Sequence, residues 1–295
     1  MNPVVKDERA VQRRVIGELR RRHPEYGYWG NLQGRENGNI DETVLVNYLL
    51  SKAGLTERQA QVAVAKLRDA ARCTGRDGLY NANKAVYEAL RWPVSVPTEP
   101  GRPAKQVWLV DWKNPKNNFF ALAEEVTVPK LANRAETRRP DIVVWVNGIA
   151  IAVLELKKAT VSVAEGIRQN LRNQADGEIP HFFATTQLLL AGSESEGVRY
   201  GTTLTPENRW LAWKEPCGDP CPPSRWTPTA VRNLLDRQLV QILEPVRLLE
   251  LVHDGIVFDR GVKKLMRPSQ YFALLAAKPR IEQKESGIIW HSQGS

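Results

Sequence analysis

The sequence predicts a mixed α/β fold in which helices pack on a sheet of about five strands, behind a helical N-terminal segment. Two observations lead to this expectation. Up to residue 92, apolar side chains recur at helical spacing, and Pro93 follows the last of these helices. Beyond Pro93 the chain alternates apolar and polar residues or forms short apolar runs, both typical of strands. A length of 295 residues gives room for a well-buried core.

The expected elements follow in chain order. The first part should contain helices at residues 4–22, 41–52, 56–72 and 81–91. Strands should come next, at residues 107–112, 119–128, 141–146 and 150–157. A helix at residues 163–175 should lead into strands at 182–191, 199–203 and 210–214. Residues 215–228 hold five prolines and should form a loop or an insertion. The last elements expected are helices at residues 230–243, 245–253 and 267–284 and a short buried strand at 287–290.

Composition restricts the function classes. The net charge of +9 suits a polyanionic partner, with nucleic acid first and an acidic membrane surface second. The chain has no run of ~18 apolar residues and no apolar core near its start, so we expect neither a membrane span nor a secretion signal. Three cysteines, an odd number, fit a reducing cytoplasm. Cys217 and Cys221 lie four apart with no nearby histidine, which favours two free thiols over a zinc site.

Residues 138–158, RRPDIVVWVNGIAIAVLELKK, contain the clearest chemical pattern. Side chains alternate between the two faces of a strand, so Glu155 and Lys157 share a face. A two-residue turn at Asn147-Gly148 would pair Asp141 with Leu154 and put Glu155 on the opposite face. A three-residue loop at 147–149, or a bulge of equal effect, would instead pair Asp141 with Glu155. We therefore expect such a loop or bulge, with Ile142, Val144, Val146, Leu154 and Leu156 on the core face.

This arrangement would bring two carboxylates and an ammonium group together. Neighbouring carboxylates repel each other and are costly to bury, and a divalent cation relieves that cost. Hard oxygen ligands favour Mg²⁺ or Mn²⁺, which can polarise a phosphodiester. Lys157 beside the cation could orient or deprotonate water, or neutralise charge that develops on the phosphate. The alternative is a surface ion pair between Lys157 and the two acids, worth ~0–1 kcal/mol.

The pattern resembles a known nuclease signature. Pro140-Asp141 followed by Glu155-Leu156-Lys157 is similar to the PD-(D/E)xK motif. The flanking text is more specific, and from about residue 31 to the last residue it resembles the N-terminal half of type I restriction enzyme R subunits. The segments that resemble this family, in order, are AEEVTV, RPDIVVWVNG, VLELKKATVSVAEGIRQNLRNQ, RYGTTLTPE, LLELVHDGIVFD, RPSQYFALLAA and GIIWHSQGS.

The resemblance implies roles for the central residues. Asp141 and Glu155 would be the metal ligands, with the Leu156 carbonyl, and Lys157 would be the catalytic lysine. The cofactor would be Mg²⁺ or Mn²⁺. The resemblance also implies a restriction-endonuclease-like PD-(D/E)xK core and Mg²⁺-dependent cleavage of double-stranded DNA.

Further residues are implied less directly. Many members of the wider nuclease group carry a Gln-x-x-x-Tyr motif on the next helix. Here Gln169 occupies the Gln position, as a candidate catalytic residue, but Asn173 stands in place of Tyr. An acidic residue on an earlier helix often completes such cores, and Glu88 is the candidate. Arg138, Arg139 and Lys158 are the candidate contacts to the DNA backbone.

The tail suggests a second activity in a longer protein. Gln270 in RPSQYF resembles the adenine-contacting glutamine of superfamily 2 motors, and residues 293–295 resemble the start of a phosphate-binding loop. By this resemblance, residues 1–92 are the helical N-terminal part of the nuclease domain and 93–256 its core and following helices. Residues 257–295 would be a linker and the truncated start of the motor, so ATP would act only in the full-length subunit.

The resemblance also implies partners. In the family, methyltransferase and specificity subunits join the R subunit, and ATP-driven translocation triggers cutting. Two alternatives remain open at this stage. One is a recombination or repair nuclease with the same core, and the other is a non-catalytic module that docks or binds DNA. The expected location is cytoplasmic, without a membrane partner.

Overall fold

A computed structural model describes residues 8–34, 36–74, 78–215, 231 and 233–290. Its strands are β1 (Tyr26–Asn31), β2 (Val94–Val96), β3 (Lys105–Val107), β4 (Phe120–Glu124), β5 (Val128–Pro129), β6 (Thr137–Arg138), β7 (Ile142–Val146), β8 (Ile149–Lys157), β9 (Leu188–Ser193), β10 (Gly197–Gly201), β11 (Leu211–Ala212), β12 (Ile256–Asp259) and β13 (Val262–Leu265). Its helices are α1 (Glu8–Arg22), α2 (Glu42–Ser51), α3 (Glu57–Ala70), α4 (Gly78–Arg91), α5 (Val163–Asn173), α6 (Pro180–Phe183), α7 (Leu234–Ile242), α8 (Pro245–Gly255) and α9 (Pro268–Glu282).

A seven-stranded mixed sheet organises these elements. Its strand order is β1-β4-β7-β8-β9-β10-β11. β1 runs parallel to β4 and β8 runs parallel to β9, while the other neighbours are antiparallel. This mixed sheet flanked by helices confirms the predicted fold class, with more strands than the five expected.

The hairpin of β7 and β8 forms the centre of the sheet. Its turn is the two-residue type, because Val146 pairs with Ile149 across Asn147-Gly148. The three-residue loop was therefore wrong, but the register shifts by one residue between Val144 and Trp145, which is the bulge of equal effect. Beyond the bulge Ile142 pairs with Leu154, so the next position on each strand sets Asp141 beside Glu155.

Both faces of this hairpin are buried. One face carries the five apolar residues expected there, and they pack in a core with α1, α2, α3, α4, α7 and α8. The opposite face contributes Val143 and Val153 to a second core, where Val163 and Ile167 of α5 and the phenylalanines of α6 cover it. Because helices cover both faces, the polar side chains of the second face are also withdrawn from water.

Several segments differ from the predictions. The N-terminal segment is not entirely helical, because Tyr26–Asn31 adds the edge strand β1; its two glycines interrupt the strand pattern. The strand expected at 107–112 contributes only Val107, in the separate β2–β3 hairpin, although Leu109 and Val110 are buried. The strand expected from Phe182 begins only at Leu188, because residues 180–183 form α6 with Pro180 in its first turn.

The tail packs against the first core except at its end. β12 and β13 form a hairpin, and Tyr271 and Phe272 of α9 are buried in the first core. The buried strand expected at residues 287–290 was wrong: no strand forms there, and Ile288 and Trp290 are about nine-tenths exposed. In the described ranges, no helix combines the length and the apolar character needed to cross a membrane.

The turn at Gly148 gives a test of the hairpin. Its φ is +82°, and a Cβ there would lie 2.6 Å from the Asp41 carbonyl oxygen and 3.0 Å from the Leu45 nitrogen. Gly34 has φ +87° but open space around it. We expect Gly34→Ala to cost about 1 kcal/mol of unfolding free energy, from the backbone alone. Gly148→Ala should cost clearly more, measured by urea denaturation, because α2 must also move. Equal losses would contradict the close approach of α2 to the turn.

Candidate active site

Asp141 and Glu155 meet at the end of the central hairpin. Asp141 directly precedes β7, and its Oδ2 accepts a hydrogen bond from the backbone nitrogen of Leu156 at 2.6 Å. Asp141 is 7% exposed and Glu155 is fully buried. Lys157, two residues after Glu155, is also buried and lies on the same face of β8. The structure therefore brings together the three side chains that the sequence pattern singled out.

Helix α5 supplies two amide side chains to the same place. Lys157 Nζ donates to Gln169 Oε1 at 2.7 Å, and Asn173 Nδ2 donates to Glu155 Oε1 at 3.3 Å. The two amides are one helical turn apart and so point the same way. Asn173, which stands where relatives are expected to have Tyr, thus binds the buried glutamate. Whether Gln169 takes part in catalysis stays a prediction.

A glycine lets α5 approach the hairpin closely. A Cβ at Gly166 would lie 3.3 Å from the Glu155 carbonyl oxygen and 3.2 Å from Ala191 Cβ on β9. Gly166 follows Glu165, which lies in the first turn of α5. Ser162 caps this helix, because its side chain accepts a hydrogen bond from the backbone nitrogen of Ala164. The cap fixes where the helix starts, and the glycine fixes its distance from the sheet.

Burial controls the charge of the two acids. Loss of solvent raises the pKa of Asp141 to about 6, against the opposing hydrogen bond from Leu156 and the charge of Lys157. Burial, followed by the nearby negative charge of Asp141, raises the pKa of Glu155 well above its ordinary value. Glu155 Oε2 is buried without a hydrogen-bond partner. Each of these features penalises the ionised pair when the protein stands alone.

The donor set fits a hard divalent cation. Two carboxylates, one with an unsatisfied buried oxygen, are the ligands that Mg²⁺ and Mn²⁺ prefer, and the Leu156 carbonyl is the predicted third. Within the described part of the chain, no three His, Cys, Asp or Glu side chains converge in a metal-binding cluster. A cation here would therefore complete its coordination with water or substrate oxygens, as Mg²⁺ usually does.

The N-terminal helix reaches the site, which sequence reasoning missed. Glu8, in the first turn of α1, has Oε1 3.8 Å from Lys157 Nζ. The earlier acidic residue expected to complete the core was Glu88, and that prediction was wrong. Glu88 lies exposed on α4 and pairs with Lys84. No local pattern marks Glu8, because its contact with Lys157 is made across nearly 150 residues of sequence.

A further carboxylate, Glu125, lies beside the pair. It follows β4, its backbone nitrogen donates to the Asp141 carbonyl oxygen, and its side chain is nearly buried. Its φ of +52° is unusual for a residue other than glycine. A positive φ cannot be read from an apolar strand that ends in Glu-Glu, so sequence reasoning did not find this residue.

The candidate DNA contacts occupy different settings. Arg138 makes a two-pronged ion pair with Glu178, at 2.5 and 2.9 Å. Arg139 is more exposed and lies 3.6 Å from Glu125. Lys158 is half-buried just past β8. Of the three, Arg139 is therefore best placed to reach a phosphate beside Asp141. All three stay predictions.

The remaining predicted features lie in the tail or outside the described residues. Gln270 is exposed in the first turn of α9, where its Oε1 accepts from the Arg267 nitrogen. Its proposed contact with adenine stays a prediction. Cys217 and Cys221, most of the proline-rich loop and residues 293–295 lie outside the described residues.

Comparison with known proteins gives one consistent family. Residues 7–209 match the family model described as "Type I restriction enzyme R protein N terminus", so the similarity extends through α1, further towards the start than expected. The chain is 25% identical over 215 residues (64% of this chain, 20% of the relative) to the putative type I restriction enzyme MjaIXP endonuclease subunit of Methanocaldococcus jannaschii. It is 30% identical over 208 residues (63% and 18%) to the putative MjaVIIP endonuclease subunit of the same organism.

A third relative extends the similarity along the chain. The type I restriction enzyme HindI endonuclease subunit of Haemophilus influenzae is 24% identical over 311 residues, covering 98% of this chain and 29% of that protein. The chain thus spans less than a third of the length of these relatives.

The raised pKa of Asp141 gives a test of the buried pair. A carboxyl whose pKa rises on folding adds stability below its unfolded pKa, near 3.8, and loses it as the pH rises through about 6. Without metal, the free energy of unfolding should therefore fall across this window by about 2–3 kcal/mol more in the parent than in Asp141→Asn. Denaturant titrations in EDTA from pH 4 to 7 measure the difference.

The exposed Asp69 supplies the matched control, because Asp69→Asn should follow the parent across the whole window. Adding Mn²⁺ should restore stability to the parent above pH 6 and leave Asp141→Asn unaffected, since only the ionised carboxylate binds the cation. Identical pH profiles for the parent and Asp141→Asn would contradict the raised pKa.

Proposed function

Because this chain belongs to the type I restriction enzyme R protein N-terminal family, we propose that it is the nuclease part of a restriction endonuclease subunit. In this proposal it cleaves double-stranded DNA with Mg²⁺ or Mn²⁺ at the centre formed by Asp141, Glu155 and Lys157. The observation that carries the proposal is the buried pair of carboxylates, which share one face with a lysine and leave Glu155 Oε2 unsatisfied.

The side chains divide the work at this centre. Asp141 and Glu155, with the Leu156 carbonyl, hold the cation, which when bound supplies positive charge to the phosphodiester and activates water for attack. Gln169 fixes Lys157 Nζ through a 2.7 Å hydrogen bond, so the ammonium group need not reorganise during the reaction. Asn173 holds one oxygen of Glu155 and leaves the other free to bind the cation.

Lys157 is the residue suited to the reacting phosphate. Its charge can stabilise the negative charge that develops on the phosphate oxygens, or it can orient the attacking water. Glu8, whose Oε1 lies 3.8 Å from Lys157 Nζ, limits where the ammonium group can point. The backbone of the duplex would be bound by Arg139, with Arg138 and Lys158 as the further candidates. These contacts recognise phosphates and leave base sequence unread.

The wider setting is also a proposal. The match to the HindI subunit covers 98% of this chain and 29% of that protein, which supports a longer chain. From the resemblance of the tail we propose that this longer chain continues into an ATP-driven motor, with Gln270 near the adenine of ATP. Methyltransferase and specificity subunits would be its partners, and the cytoplasm, which holds the DNA, its location. Specificity for a DNA sequence would then lie with a partner subunit.

Cleavage by the full-length subunit in its assembled complex tests the proposal. We expect Lys157→Ala and Asp141→Ala each to lower the rate of plasmid cleavage with Mg²⁺ by at least ~100-fold, because the first removes positive charge beside the reacting phosphate and the second removes a ligand of the cation. Lys264→Ala and Asp69→Ala, which change exposed residues of the same types, should cleave at the parent rate.

Two further outcomes decide between this function and its alternatives. Calorimetry should detect Mn²⁺ binding to the parent chain and none to Asp141→Ala. A complex that translocates on DNA but never cuts it, with a chain that binds no Mn²⁺, would favour a non-catalytic docking module. Cleavage that persists in both Lys157→Ala and Asp141→Ala would place the reaction at another site and overturn the proposal.

A further inference from the structure

Glu125 has no role in the proposed reaction, yet its setting is unusual. Its φ of +52° is the left-handed conformation, which is unfavourable for a residue with a Cβ. The turn is fixed by two backbone hydrogen bonds, from the nitrogens of Glu125 and Val126 to the carbonyl oxygens of Asp141 and Pro140. Glycine would suit this backbone better, so the glutamate side chain must be accounted for separately.

The carboxylate of Glu125 is held from two directions. Its Oε1 accepts a hydrogen bond from Gln12 Nε2 at 3.2 Å, and Gln12 is itself buried in α1. Its Oε2 lies 3.6 Å from Arg139 Nη1. Gln12 is one helical turn from Glu8, which approaches Lys157. Glu125 therefore joins the helix that flanks Lys157 to the arginine that precedes Pro140-Asp141.

The charge of Glu125 would by itself oppose the function of the site. A third carboxylate beside Asp141 and Glu155 repels DNA phosphates and disfavours the ionised pair that binds the cation. Gln12 is neutral, and Arg139 is the closest cation to this carboxylate in the described ranges. Arg139 keeps 39% of its side chain exposed, so it can still reach a ligand while Glu125 holds it.

We propose that Glu125 is a positioning residue that holds Arg139 beside the Asp141–Glu155 centre, ready to bind a DNA phosphate next to the one that is cleaved. Fixing the long arginine side chain in advance removes part of the entropy that it would otherwise lose on binding. The inference rests on the proposed function, since it takes DNA as the ligand. It concerns binding, so it can be tested without cleavage.

The test measures DNA binding by the full-length subunit with Ca²⁺ in place of Mg²⁺, at several salt concentrations. Glu125→Gln keeps the shape of the side chain and can still accept from Gln12, but it loses the attraction for Arg139. We expect a 30-base-pair duplex to bind about tenfold more weakly. The slope of log Kd against log salt concentration should fall by about one unit, which corresponds to the loss of one phosphate contact. Arg139→Gln should show the same two changes, and the double variant no more than either.

The sign of the change separates positioning from simple charge. A carboxylate that acted only through its negative charge would repel DNA, so Glu125→Gln would bind DNA more tightly. Tighter or unchanged binding therefore overturns the proposal, as does full additivity in the double variant. Glu124→Gln, at the neighbouring position in β4, is the matched control and should bind like the parent.

A second variant keeps the test valid if the first one folds poorly. Glu125→Gly removes the same side chain while suiting the positive φ, so it should unfold near the parent temperature and still bind DNA as weakly as Glu125→Gln. Weak binding with a parent-like melting temperature supports positioning, and parent-like binding by a folded Glu125→Gly overturns it. Loss of cleavage by the parent itself would count against the proposed function and leave this comparison of affinities unaffected.

Discussion

The bulge in the β7–β8 hairpin decides whether this molecule has a site at all. Side chains on paired strands share a face only when their positions match, so a regular hairpin with a two-residue turn would set Asp141 against Leu154. Glu155 would then point into the core beneath α2 and α3. The one-residue shift near Ile151 changes which side chains of β8 share a face with those of β7, from the bulge to the strand ends. It sets Asp141 beside Glu155 while keeping Ile142 and Leu154 in the core.

The buried acids in turn account for the elements around them. Two carboxylates in a site closed by α5 are unfavourable without compensation, and the chain provides only part of it. The Leu156 nitrogen binds Asp141, and Asn173 binds one oxygen of Glu155, but the other oxygen is left without a partner. In the proposed function a divalent cation would complete this compensation, because it neutralises more of the charge than a monovalent ion or a single proton does.

The sequence predicted that Asp141 and Glu155 lie on the same face of the hairpin, but it did not predict which irregularity puts them there. Asp141 and Glu155 can share a metal only on one face, and this chemical requirement was enough to predict a loop or a bulge. The choice between them was not readable, because the bulged segment around Ala150 and Ile151 is uniformly apolar and carries no glycine or polar residue. Both faces of the hairpin are buried, so neither face is marked by a row of polar residues. The register of the two strands therefore cannot be derived from an alternation of apolar and polar residues.

The parts of the site that were missed depend on long-range contacts. Glu8 and Gln12 belong to a helix whose own pattern is that of an ordinary amphipathic surface helix, with Val11 and Val15 in the core. Nothing within that helix indicates that its polar residues face Lys157 and Glu125. Glu88 was the wrong choice for the same reason, since α4 has a similar pattern but presents its glutamate to solvent. Local pattern predicts which side of a helix is buried, whereas the polar partner of a residue is set by the fold.

The placement of α1 has a consequence for how the site could be assembled. β1 joins the main sheet parallel to β4, and α1 leads directly into it, so α1 and β1 are part of the same body as the hairpin. Lys157 is held on one side by Gln169 from α5 and approached on the other by Glu8 from α1. A site whose lysine lies between two helices from distant parts of the chain is complete only when the whole α/β unit has folded. Because the separate segments lack this arrangement, a partly folded chain would not hold Lys157 in position beside Asp141 and Glu155, as the proposed reaction requires.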